Sequence, residues 1–173
     1  MAHNTPRNKA TTVVYLILRD NLDRILVMDR WGTGYRDGDC QTPAGHIDAG
    51  ETPTQAILRE TREEIGVEPV GLRFAHTSFR PKHDETGDRC DYYFEARGWR
   101  GHVSNAEPSK HRNLRFVEPA RLPQNMTPHI RHAIRCIEYG VVFSELGYDF
   151  LKTHGYMSKD AITPDELLDA EEL

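Results

Sequence analysis

No other part of the 173-residue chain constrains its fold and chemistry as tightly as residues 45–67, GHIDAGETPTQAILRETREEIGV. Thr52 is a strong N-cap, Pro53 suits the first helical position, and Gln55 stands three residues beyond the cap. A capping box therefore predicts a helix beginning at Pro53. Gly66 ends it, because glycine takes the left-handed conformation after a helix without steric cost. About three and a half turns lie between. Ile57, Thr61 and Ile65 recur at i+4 with Ala56 and Leu58 beside them, an apolar stripe suited to packing on a sheet. Arg59, Glu60, Glu63 and Glu64 take the remaining arc, where carboxylates one turn apart repel by about 0.2–0.5 kcal/mol per pair. They call for a neutralising partner, and the hard divalent cations Mg²⁺ and Mn²⁺ match carboxylate oxygens.

Either side of this helix the chain reads as strands. Residues 11–19, TTVVYLILR, and 24–30, RILVMDR, are nearly continuous in apolar and β-branched side chains, as strands covered on both faces are, with a polar turn at 20–23. Residues 31–39 are rich in glycine and aspartate and form a loop expected over the site; residues 41–45 follow as a short strand and turn. Residues 70–80 and 89–99 are strand-like, joined by the polar connection RPKHDETGD, and 113–117 is a further short strand. Thr127 and Pro128 open a second helix with Ile130, Ala133, Ile134 and Ile137 as its apolar stripe and Gly140 as its stop, expected on the sheet face opposite the first helix. His129 and His132, with no carboxylate or cysteine at metal spacing, read as surface residues of that helix.

Length and composition fit this reading. The chain is long enough for one domain with a proper core, and at 38% apolar and 28% charged it is that of a soluble globular protein. Residues 1–10 read as a loose tail without the apolar segment of a signal peptide. No apolar run is long enough to span a bilayer. Cys40, Cys90 and Cys136 are odd in number and widely spaced, as expected of reduced thiols in a cytoplasmic protein. A net charge of −5 speaks against a nucleic-acid partner, while local arginines and a bound cation can still set a cleft's field for a small anion. Residues 141–173 form an extension whose Phe143, Tyr148, Phe150 and Tyr156 cover either the domain itself or a second copy in a homodimer. Thr163 and Glu166 cap a short acidic helix or tail at its end.

The spacing G-x5-E-x7-R-E-U-x-E-E-x-G-U, with U apolar, resembles the signature of Nudix hydrolases, met here by Gly45, Glu51, Arg59, Glu60, Glu63, Glu64, Gly66 and Val67. Thr61 departs from the usual aliphatic residue. The resemblance, over residues 11–140, implies an α/β/α sandwich with a mixed sheet between helical layers, in accord with strands flanked by two amphipathic helices. It implies Mg²⁺ or Mn²⁺ held by Glu60, Glu64 and the Gly45 carbonyl, with Glu63 as ligand or general base. Arg59 is expected to orient a carboxylate, and Glu51 to act structurally or catalytically. Glu107 stands where relatives recruit a further acid, against the simpler reading of a solvated loop glutamate. Arg30 and Asn125 resemble substrate- and base-directed residues of mutator-type members, and His46 and Tyr35 are expected along the cleft.

The activity implied is hydrolysis of a nucleoside triphosphate to monophosphate and pyrophosphate. A nucleoside diphosphate sugar or ADP-ribose is the alternative substrate, with Pro81 near a proline of ADP-ribose hydrolases. A non-catalytic nucleotide-sensing module is a third reading, set against a complete set of acids.

Overall fold

The computed structural model describes residues 8–80 and 87–147. Strand β1, Ala10–Leu18, is the axis of the molecule. It pairs in parallel with β7, Asp88–Ala96, and antiparallel with β4, Ala44–His46. Beyond β7 come β6, Arg73–Arg80, antiparallel, and β10, Phe143–Glu145, parallel, so that one mixed sheet runs β10-β6-β7-β1-β4. Two smaller sheets flank it. One contains β3 (Cys40–Gln41), β2 (Ile25–Arg30) and β9 (His111–Val117), and the other β5 (Val67–Val70) with β8 (Gly98–Gly101).

The alternation of β1 divides the core. Val13, Tyr15 and Ile17 pack with Ile130, Ala133 and Ile134 of helix α2, Pro128–Glu138. Val14, Leu16 and Leu18 pack with Ala56, Ile57 and Ile65 of helix α1, Pro53–Ile65. Side chains of period two thus serve both layers, and the two helices cover opposite faces as the sequence predicts. Each fully buried aliphatic chain contributes about 1.5–3 kcal/mol. The first helix begins and ends where its caps require. Gln55 N donates to Thr52 Oγ1 at 3.2 Å and Thr52 N to Gln55 Oε1 at 2.9 Å, while Gly66 at φ 71° donates to Arg62 O. Thr61 is fully buried on the packing face and its hydroxyl donates to Leu58 O, which accommodates the polar atom there.

β1 and β2 are joined by a turn as expected, meet at an isolated Arg19–Ile25 bridge and lie in different sheets. Their turn is held by Asp20, whose carboxylate accepts from the Leu22 and Arg24 backbones. The stretches 70–80 and 89–99 are not single strands: Gly71 at φ 68° separates β5 from β6, and β8, which comes after β7 in the chain, leaves the main sheet to pair with β5. The strand β10 lies in the stretch read as an extension and pairs with the main sheet. Residues 1–7, most of the 81–88 connection with Pro81, and residues 148–173 with Tyr148, Phe150, Tyr156 and the Thr163/Glu166 cap lie outside the described residues.

His129 and His132 are not surface residues. His132 is 7% exposed, beside Cys136 and edge-on to His76, because a helix whose stripe is Ile130, Ala133 and Ile134 also turns position 132 inward. Burial, with the charges of His76 and Arg135, pushes the His132 imidazole down to about 4, and burial lowers His76 as well. An unfolded chain holds imidazole near ~6.5. Below that value the unfolded state binds protons that the folded state refuses, so His132 costs stability increasingly as pH falls from about 6.5 to about 4. Urea unfolding of the His132→Gln variant across this window should show a pH slope shallower by up to ~1 proton; an unchanged slope would show that His132 titrates alike in both states.

Candidate active site

A cavity of about 610 Å³ opens where β1, β4, α1 and the loops before β9 and α2 meet. Its acidic end is built from α1. Glu64 falls three residues after Thr61 and seven after Ile57, which turns it to the buried side of the helix rather than the outer arc. It is 4% exposed, and its Oε2 accepts from Ala44 N at 2.9 Å. Burial drives its carboxyl well above the ordinary range; the Ala44 N–H opposes this, and the charges of Glu60 and Glu107 add to it. Glu60, one turn earlier, is also raised by burial and opposed by Arg59. Gly45 stands against Glu60 so closely that a Cβ would overlap the carboxylate.

Arg59 distributes its guanidinium over the acids instead of lining the cavity. Nε and Nη2 donate to the two oxygens of Glu51, each at 3.0 Å, and Nη1 donates to Glu60 Oε1 at 2.6 Å and Glu63 Oε2 at 3.3 Å. Nη2 also reaches the His46 carbonyl at 3.0 Å, which ties the helix to β4. The bonds from Arg59 hold the Glu51 carboxyl below its usual range. Arg59 is thus held by both oxygens of Glu51 and reaches Glu60 and Glu63 with its remaining N–H group.

The loop from β8 to β9 completes the acidic end. Ser104 N and Ala106 N donate to the carbonyls of Ile65 and Glu64 at 3.1 and 3.0 Å, closing the exposed end of α1. Asn105 then braces a turn: its Oδ1 accepts from Glu107 N and its Nδ2 donates to His111 O at 2.6 Å, while His111 N donates to Glu107 O. Glu107 and His111 are thereby brought to one side. His111 Nε2 lies 3.4 Å from Glu64 Oε1, and Lys110 Nζ donates to Glu107 Oε1 at 2.6 Å. One donor atom each from Glu64, Glu107 and His111 fall within 4.8 Å of one another, a set that suits a divalent cation. Burial lowers the His111 pKa, which favours the neutral, ligating imidazole.

Cationic side chains share the cavity with these acids. Arg30, Arg36, Arg80, Arg89 and Lys110 line the cavity, with Tyr35 and His46 among the other lining residues. Arg30 is set by three bonds, to Tyr35 O, Gln41 Oε1 and Thr33 Oγ1, and its guanidinium lies over the Tyr35 ring at 5.6 Å. Asp37 shapes the loop by accepting from Thr33 N, Thr33 Oγ1 and Gly34 N. At the far end the Tyr15 hydroxyl meets His129 Nε2 at 3.1 Å, and burial with the Arg80 and Arg36 charges takes His129 down to about 3.

The structure therefore brings together Gly45, Glu60, Glu64, Glu107, Arg30, Tyr35 and His46. It does not bring Glu63 or Asn125 to the cavity wall. Glu63 lies on the outer face of α1, its side chain 52% exposed and engaged by Arg59. Asn125 spends its amide on Gly38 O at 2.6 Å, holding the 31–39 loop. Sequence reasoning missed His111, Lys110, Gln41, Tyr15 and His129. Lys110 and His111 follow Glu107 at i+3 and i+4, a spacing that signals a shared turn, and the register of β2 with β9 sets His111 opposite Arg30.

Because any side chain at position 45 displaces Glu60, Gly45→Ala should lower turnover by on the order of 10-fold or more while thermal unfolding shifts little. Unchanged kinetics in that variant would show that the close approach is incidental.

The NUDIX domain family model matches residues 8–136. The fold resembles a MutT Nudix hydrolase from Burkholderia pseudomallei with a TM-score of 0.67 at 21% identity, covering 73% of this chain and 97% of that one. A MutT protein from Methanosarcina mazei Go1 gives 0.67 at 15% identity, covering 78% and 97%. An Escherichia coli (strain K12) protein named 8-oxo-dGTP diphosphatase is 36% identical over 53 residues, 31% of this chain and 41% of its own length. An Aeromonas hydrophila RNA pyrophosphohydrolase is 44% identical over 48 residues, 28% and 27% of the two lengths. The match thus spans less than half the length of either curated relative. With the family model running from before β1 into the last turns of α2 and the acid-bearing helix at its centre, the chain belongs to the Nudix family.

Proposed function

We propose that the chain is a divalent-metal-dependent pyrophosphohydrolase that converts a nucleoside triphosphate to the monophosphate and pyrophosphate. The observation that carries this reading is the joining of a buried acid cluster to a wall of cationic side chains in one cavity of about 610 Å³, a volume suited to a nucleotide. Carboxylates alone repel a polyphosphate. Glu64 and Glu107, with Glu60 lining the same cavity, have the oxygen chemistry of a Mg²⁺ or Mn²⁺ site, and the ion when bound would supply charge neutralisation at the phosphate oxygens.

The chain's own residues account for the rest. Arg30 and Lys110 offer charged N–H donors to phosphate oxygens, and the Tyr35 ring offers a face for a base. Arg59 keeps Glu60 in place against Gly45. A water oxygen attacks phosphorus, an anhydride P–O bond breaks, and a carboxylate of the cluster takes the proton. The E. coli relative's name, 8-oxo-dGTP diphosphatase, supports a nucleoside triphosphate as substrate. The complete set of signature acids favours turnover over nucleotide sensing.

A panel of nucleotides should yield nucleoside monophosphate and pyrophosphate together. Monophosphate with a sugar phosphate would assign a nucleoside diphosphate sugar or ADP-ribose instead. Glu64→Gln should cost at least about 10²-fold in kcat with an unchanged circular dichroism spectrum; wild-type turnover in that variant would sink the assignment.

A further inference from the structure

The α1 side of the main sheet is unevenly covered. Strand register assigns its residues: Thr12, Val14 and Leu16 of β1 stand beside Cys90, Tyr92 and Phe94 of β7, Tyr92 and Cys90 beside Thr77 and Phe79 of β6, and Thr77 beside Phe143 of β10. Val14, Leu16 and Phe94 belong to the core layer under α1, so these side chains share that face. Thr77 Oγ1 lies 3.9 Å from Cys90 Sγ, and Phe74 meets the Phe94 ring edge-on at 6.1 Å, as neighbours on one face do. Among the described residues α1 packs on β1, β4 and β5. Toward the β10 edge the face opens. Phe143 is 52% exposed and Phe74 45%, and Thr77, Phe79, Cys90 and Tyr92 are half-buried.

The other side of the same strands is occupied. There α2 packs on β6, and His76 joins Val141 O at 2.9 Å and Ser144 Oγ at 3.0 Å beneath it. The described fold ends at Gly147 on this edge, where Leu146 N still donates to Phe79 O at 2.9 Å. Residues 148–173 therefore start beside the open face, and they carry Tyr148, Phe150, Leu151, Tyr156 and Met157. Three adjacent strands are about 10 Å across, which about seven residues of helix or about three of extended chain span. A tethered segment meets the face at an effective concentration on the order of millimolar, whereas a second copy loses translational and rotational freedom on docking.

We propose that residues 148–173 return over the α1 side of β7, β6 and β10 within the same molecule, their aromatic side chains covering Phe143, Phe79 and Tyr92. Removal of this apolar strip from water supplies the driving force. The segment then backs the two strands whose Arg80 and Arg89 line the cavity, and its seat is independent of the chemistry proposed there.

Cys90 is the reporter. Cys40 and Cys136 are buried, so in the folded full-length chain Cys90 is the thiol within reach of an aromatic disulfide reagent. Its labelling should quicken on the order of tenfold or more when Tyr148→Ser, Phe150→Ser and Tyr156→Ser are combined, with an unchanged circular dichroism spectrum. An equal rate would overturn the proposal. Hydrogen exchange of the wild-type chain should show slowed amides within residues 148–173, and Phe143→Ser should speed them. Exchange at the rate of an unstructured peptide in the wild type, or no change in Phe143→Ser, would overturn it as well. Protection of Cys90 should be independent of protein concentration. Protection that rises with concentration, together with a dimer in sedimentation velocity, would assign the face to a second copy and overturn the intramolecular seat.

Discussion

A single buried carboxylate, Glu64, joins the parts of this molecule that otherwise have no reason to meet. Its Oε2 takes the Ala44 N–H of β4, its backbone carbonyl takes the Ala106 N–H of the following loop, and its Oε1 faces His111 at the start of β9. Burying an ionised carboxylate costs several kcal/mol when it lacks a charge partner. An apolar residue would suit the packing face of α1 better, so the acid is a stability cost located where the chemistry is. Burial also drives its carboxyl well above the ordinary carboxylate range.

The remaining carboxylates are managed by a different device. Arg59 binds Glu51 through two oxygens and reaches Glu60 and Glu63 with its remaining N–H groups, so one fixed cation offsets repulsion among acids spaced for helical neighbours. The missing side chain at Gly45 gives Glu60 its space. Cations carried by β2, β6, β7 and the 31–39 and 102–110 loops line the same cavity. A chain of net charge −5 can accordingly present a locally positive wall to an anionic substrate.

How much of this was legible in the sequence differs by element. The first helix was legible to its end residues, since Thr52, Pro53, Gln55 and Gly66 act through bonds to their own near neighbours. The two-faced burial of β1 was legible from its unbroken apolar run. The breaks between β5 and β6 and between β7 and β8 were not, because both halves of each stretch are strand-like and only their assignment to different sheets separates them. His132 misled for a related reason: a polar side chain within a helical stripe reads as exposed until the neighbouring His76 and Ser144 positions supply a polar interior.

The sequence by itself determined the signature helix, the identity of its acids and the two-layer packing of β1. Each depends on contacts within a few residues or on a simple periodicity. Tertiary structure decided which acids meet. Glu63 is turned outward, while Glu107 and His111, more than forty residues after Glu64, are delivered to it by a turn and by the pairing of β9 with β2. Such a grouping depends on strand register and loop path across the whole sheet. A helical spacing of three or four residues cannot encode it.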